Sequence, residues 1–138
     1  MIIQAAAAFL GTVAFAVLFG VPRQYYGLCG ITGCLGWITY LVLGNLGCGI
    51  VPAALFATIL VNLLSRSFAV RARCPVTVFL ICGIFPLVPG SGIYWTVYYV
   101  VMEQYSEALA SGTAALKAAI AIVLGIVLVS EMPKSIKR

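Results

Sequence analysis

Phe85-Pro86-Leu87-Val88-Pro89-Gly90-Ser91-Gly92 falls inside an apolar run that extends from Pro75 to Met102. As one straight helix that 28-residue run would be roughly 42 Å long, against a hydrocarbon core of roughly 30 Å. It must tilt, break or fold back, and the sequence supplies the break. Pro86 and Pro89 have no N–H to donate, and Gly90 and Gly92 tolerate dihedrals closed to other residues. The expectation is two half-helices, about 76–85 and 91–103, joined by an irregular turn. A bilayer offers no water to unpaired backbone groups, so such a turn survives at membrane depth only where protein or a wet cavity surrounds it. Broken helices of this kind form substrate sites near the midplane of many transporter folds.

The rest of the chain is membrane-compatible. Of 138 residues 64% are hydrophobic and 8% charged, with a mean hydropathy of +1.17; soluble domains carry roughly a quarter charged residues. Besides the broken stretch at 75–103, four segments have the length and polarity of a span: 3–21, 27–46, 50–65 extending to Phe68, and 110–130. The first lacks the basic leader of a signal peptide and reads as a retained span. The predicted fold is an all-α polytopic membrane protein, one integral membrane domain over 1–138 with five transmembrane segments, the fourth broken at Pro86 to Gly92.

Composition also excludes chemistry. The net charge of +5 sits at the ends of apolar runs and forms no basic patch with interleaved aromatics, which excludes nucleic acid as a partner. There is no histidine, and the acids are Glu103, Glu107 and Glu131. Cys29, Cys34, Cys48, Cys74 and Cys82 contain no CxxC pair and read as small apolar packing residues. No metal site, cofactor or activated nucleophile is expected, and the chain does not read as an enzyme.

Charge placement chooses the topology. If the broken segment crosses once, Arg23, Arg66, Arg71, Arg73, Lys134, Lys137 and Arg138 share one side, and Lys117 alone is on or near the other. The positive-inside rule favours that arrangement, with the N-terminus outside and the C-terminus cytoplasmic. The helices also carry small-residue patterns for close packing. Ala114, Ala118, Ala121 and Gly125 form one stripe, within the bundle or at a subunit interface, whereas Gly27, Gly30, Gly33 and Gly36 wind around the second span and admit more than one neighbour.

Six residues are candidates for a binding site: Pro89, Gly90, Ser91, Gly92, Tyr94 and Lys117. The first four open the second half-helix, whose N–H groups and positive end suit a carboxylate; the competing reading is a kink that only lets the helix bend around its neighbours. Tyr94 and Tyr98, with Trp95 and Tyr99, form two adjacent aromatic rows, either a substrate path or an interfacial belt. Lys117 is expected about one turn inside the last helix, placed to snorkel outward, to pair with Glu103 or Glu107, or to attract an anion. Asn62 reads as interhelical glue.

The run Leu18-Phe19-Gly20-Val21-Pro22, the glycine-rich second span and above all Ile84 to Tyr94 resemble the threonine/serine exporter family, in particular its small all-membrane subunit. Pro86, Pro89, Gly90 and Tyr94 match the family pattern, and the similarity runs through nearly the whole chain in segment order and spacing. The resemblance implies a bacterial inner membrane, an obligate larger membrane subunit, and export of threonine and serine or of dicarboxylates such as succinate. It also implies an inverted repeat formed with the partner, the small carboxylate substrate lying between the halves. A non-transporting scaffold subunit is the alternative reading. A leaky pore formed by this chain alone is a third, and a membrane-embedded enzyme the least favoured.

Overall fold

A computed structural model describes residues 2–132, all of whose regular structure is helical. Lys134, Lys137 and Arg138, three of the basic residues used to orient the chain, lie outside the described residues. Six α-helices follow one another: α1 (Ile2–Leu18), α2 (Tyr26–Asn45), α3 (Ile50–Ala72), α4 (Thr77–Ile84), α5 (Gly90–Val101) and α6 (Tyr105–Glu131). Short 3-10 turns precede α2 (Arg23–Tyr25) and follow α4 (Phe85–Leu87). Three helices, α2 with its leading turn, α3 and α6, are long and apolar enough to cross a membrane. The pair α4 and α5, bent by 46°, makes a fourth if counted as one span. At 17 residues α1 is shorter than these three, roughly 25 Å long.

Local chemistry sets the helix ends. The sequence favours a first span reaching Val21, but α1 stops at Leu18 because Gly20 turns left-handed, with φ +68°. The Val21 N–H then bonds the Ala16 carbonyl at 3.0 Å and the Gly20 N–H bonds Val17 at 3.1 Å, the paired closure of a Schellman motif, with Pro22 next. The same pairing closes α2 around Gly47 and α5 around Glu103, a left-handed non-glycine residue. At the far end of α3, Arg66 donates to the Ser130 and Met132 carbonyls at 3.2 and 3.5 Å, satisfying the C-terminus of α6.

Glycine positions the helices on one another. Gly33 lies against Thr12 of α1, while Gly36 faces Val61 of α3 and lies beside Leu87 of the 3-10 turn after α4, so α2 is approached from several sides. Around it, Ala16, Cys29, Ala69, Phe79 and Cys82 form one buried cluster, and Ala54, Ala57, Val61, Leu87, Ala121 and Ile122 a second. All five cysteines are unbridged, with Cys29 and Cys82 packed inside the first cluster.

The α3–α6 contact sets the direction of the last helix. Thr58 packs on Gly125, the Asn62 amide donates to the Ile126 carbonyl at 3.1 Å, and Arg66 reaches Ser130. Positions rise together on both helices, so α3 and α6 run parallel. On α6, Ala118, Ala121 and Gly125 are buried and Ala114 half-buried, so most of this small-residue stripe is consumed inside the bundle.

Thr58, Asn62 and Ser65 form a buried polar row along α3 at spacings of four and three. Ser65 returns its hydroxyl to Val61 at 2.7 Å, but the Thr58 hydroxyl has no partner among the described residues.

Three predictions test this packing by thermal unfolding in detergent. Gly125→Ala brings a methyl to 2.9 Å from Thr58 Cβ and 3.1 Å from the Leu55 carbonyl, and should cost about 1–3 kcal/mol. Gly11→Ala, with open space at its Cβ, should instead stabilise α1 by about 0.5–1 kcal/mol. Replacing Thr58 by Val removes an unpaired buried hydroxyl and should raise stability by about 1 kcal/mol; a drop would mean that the hydroxyl has a partner in the membrane.

Candidate functional site

The break occupies the middle of the fold. Gly36, the eleventh of 20 residues in α2, lies beside Leu87 and the Gly83 carbonyl, so the turn between α4 and α5 sits half-way along its neighbour. The 3-10 turn at Phe85–Leu87 ends the first half-helix, and Phe85 stacks on Phe15 of α1 with ring centroids 3.5 Å apart. Pro86 also lines a pocket of about 230 Å³ with Gln4, Ala7 and Ala8 of α1 and Trp37 of α2. That volume is below the range of roughly 300–1,000 Å³ usual for small-molecule sites.

Pro89 shapes the entry to α5. With φ −76° and ψ 55° it forms an inverse γ-turn, in which the Gly90 N–H bonds the Val88 carbonyl at 2.7 Å. Ile93 then donates to the Pro89 carbonyl at 3.1 Å, the first bond of the regular helix. Pro89 has no N–H, the one on Gly90 is taken, and α5 has no side-chain cap. Among the described residues, two N–H groups therefore remain without a partner at this helix end, those of Ser91 and Gly92. Together with the positive end of the helix dipole they form a small donor pair suited to a carboxylate oxygen.

The two glycines at this entry differ. A Cβ on Gly90 would meet nothing within 4 Å, whereas one on Gly92 would meet the Ala115 Cβ at 3.0 Å. Gly92 is thus also a packing position, where α5 lies close against α6; Gly112 against Thr96 continues the contact in antiparallel sense.

Ser91, Tyr94, Trp95 and Tyr98 share the side of α5 turned away from α6, and all four are exposed. Tyr94 stacks on Tyr98 at 6.4 Å, and Trp95 meets Tyr94 and Tyr98 edge-on, each at 5.4 Å. The two aromatic rows expected from the sequence thus merge into one ring-lined face beginning at the break. Tyr99 stacks on Trp95 and is half-buried.

Lys117 is not brought to this face. It lies two residues beyond Ala115, the residue against Gly92, and therefore about 200° around α6 from that contact. Its depth also differs from the sequence expectation. Because α6 starts at Tyr105, Lys117 is the thirteenth of 27 residues, roughly 18 Å along the helix rather than one turn in. It is exposed, and among the described residues it makes no ion pair or hydrogen bond, with Glu103 and Glu107 both out of reach.

The sequence singles out Asn62 alone, whereas Thr58 and Ser65 share its face at spacings of four and three. Of the six candidates, Pro89 to Gly92 and Tyr94 are contiguous around the break, and Lys117 stands apart at a similar level.

A stretch of 82 residues, 59% of this chain, is 32% identical to an uncharacterized protein of Haemophilus influenzae, and the match spans only 28% of that relative's length. No solved structure matches the chain. Residues 4–132, from the first helix through the break to the end of α6, match the family described as Threonine/Serine exporter, ThrE. The chain is a multi-pass membrane protein that belongs to the ThrE family of threonine/serine exporters.

Proposed function

We propose that this chain is the small membrane subunit of a secondary exporter of carboxylate-bearing metabolites, threonine and serine or dicarboxylates such as succinate, acting with a larger membrane partner. The observation that carries the reading is the break between α4 and α5, half-way along the fold, with the Ser91 and Gly92 N–H groups unpaired beside an exposed aromatic face. In hydrocarbon such groups require a polar companion. A substrate carboxylate accepts from the two N–H groups, and Tyr94 meets the polar remainder of the substrate.

Transport follows by alternating access, with the half-helices rocking against the partner around this point. The parallel run of α3 and α6 supports a single crossing by the broken segment. The chain enters α4 on the side where α3 ends and must emerge on the side where α6 begins, and the 46° bend is far from a hairpin return. Counting α1 then gives five crossings. Arg23, Arg66, Arg71 and Arg73 fall at one end, and the positive-inside rule makes that end cytoplasmic in a bacterial inner membrane, with the N-terminus outside.

The test is Gly90→Val. Open space at the Gly90 Cβ lets the fold accept the branched side chain, which then crowds the Ser91 and Gly92 donors. Efflux of labelled threonine, serine or succinate from cells carrying both subunits should fall by roughly tenfold or more, the consequence of losing about 1.4 kcal/mol of binding, with the complex intact. Unchanged efflux would remove the break from the substrate path. Loss of efflux together with loss of the complex would favour the scaffold reading.

A further inference from the structure

We infer that the outward face of α6 is a subunit interface, and that its occupant is a transmembrane helix of a different polypeptide carrying an aspartate or glutamate level with Lys117. The inference deepens the partner proposed above and rests on that reading for the existence of a second subunit.

The face is built from Leu109, Leu116, Ile120, Leu124 and Leu128, all at least half exposed. Ala115, Ala118, Ala121 and Gly125 turn inward to α5 and α3. Two charges lie on the outward face, Glu131 at the last residue of the helix and Lys117 at mid-helix, and only Lys117 is far from a helix end. With a lysine stem of about 6 Å, against roughly 18 Å of helix before it, the ammonium does not reach the start of α6. An ammonium facing lipid at such depth costs roughly 2.5–3.5 kcal/mol even on the mildest scales, and intramembrane charges are found paired or facing wet cavities. The same apolar face without Lys117 would be an ordinary lipid-facing surface; the charge is what requires a companion.

That companion cannot come from residues 1–138 or from a second copy of them. The only acids in the sequence are Glu103, Glu107 and Glu131. Glu103 lies in the turn after α5, Glu107 in the first turn of α6 and Glu131 at its last residue. All three therefore sit at helix ends, and neither a parallel nor an antiparallel copy in transmembrane register sets one against mid-helix Lys117. Charge complementarity thus selects a heterologous helix with a membrane-depth carboxylate. The Haemophilus influenzae relative, of which the matched stretch is 28%, shows that polypeptide beyond this region accompanies it in another protein.

A photo-crosslinking residue at Leu116 of the full chain, expressed in its own host membrane, reads the neighbour directly. The expected adduct is a peptide of another protein whose apolar helix contains an aspartate or glutamate within one turn of the cross-link. Lys117→Glu should reduce that adduct by roughly thirtyfold or more, the lower range for breaking a buried charge pair, and acid→Lys in the partner helix should restore it. Lys117→Met, which inserts into lipid at no cost in charge, should lose the adduct as well, while Lys117→Arg keeps it; the amount of tagged chain in the membrane controls for misfolding. Adducts only to lipid or to a second copy would overturn the inference, as would a hetero-adduct indifferent to Lys117→Glu and Lys117→Met. Export that falls in Lys117→Met while the adduct persists would also overturn it, assigning the ammonium to the substrate. Complex formation is read here and transport in the Gly90 test, so either reading can fail without the other.

Discussion

Hydrocarbon leaves no backbone amide the option of bonding to water, and that constraint organises the whole chain. Each apolar segment becomes a helix because only a helix pairs its amides within itself. The ends of α1, α2 and α5 are closed by paired bonds back into the last turn, and α6 is closed by the Arg66 guanidinium from a neighbouring helix. Against this economy the entry to α5 is an exception. Pro86 and Pro89 break the ladder, the γ-turn at Pro89 consumes one N–H, and those of Ser91 and Gly92 are left over half-way through the fold. An exception to the rule that shapes everything else is where a polar ligand has the most to offer.

Hydrophobic attraction between helices is weak in lipid, so close fit does the work. The glycines of α2 admit α1, α3 and the break at successive positions, and Gly125 lets Thr58 approach α6. The polar bonds that accompany this packing are few. The Asn62 amide to Ile126 is of a type that contributes roughly 0.6 kcal/mol on average. Shape, more than hydrogen bonding, therefore holds α3 against α6, and α5 rests chiefly on α6 through Gly92 and Gly112.

Much of this was legible in the sequence because proline and glycine act locally. Pro86 to Gly92 announced the break, and the spiral of glycines in α2 announced several neighbours. The stop of α1 was readable too, since a left-handed Gly20 followed by Val21 and Pro22 is a closing signature; hydropathy alone ran past it. What escaped depended on geometry or on weak polarity. Ser106, Glu107, Ser111 and Thr113 dilute the hydropathy of the first turns of α6, which hid the true start of that helix and made Lys117 look shallow. Threonine scores near neutral, so Thr58 gave no warning of an unpaired hydroxyl. The loss of the Gly90 N–H follows from one dihedral at Pro89, since Pro-Gly fits several turns and composition does not choose among them.

The parallel pairing of α3 with α6 also governs how the chain is made. Asn62 and Ile126, its bonded partners, are 64 residues apart, and α4 and α5 must both be threaded before they meet. A chain emerging from the ribosome can pack α1 to α4 while Thr58 and Asn62 still face lipid. Until α6 arrives, the Asn62 amide lacks its acceptor and the row it belongs to has no helix to close it. A chain truncated after the break would keep one of its two buried clusters whole, lose two members of the other, and leave the Asn62 amide in lipid without its acceptor.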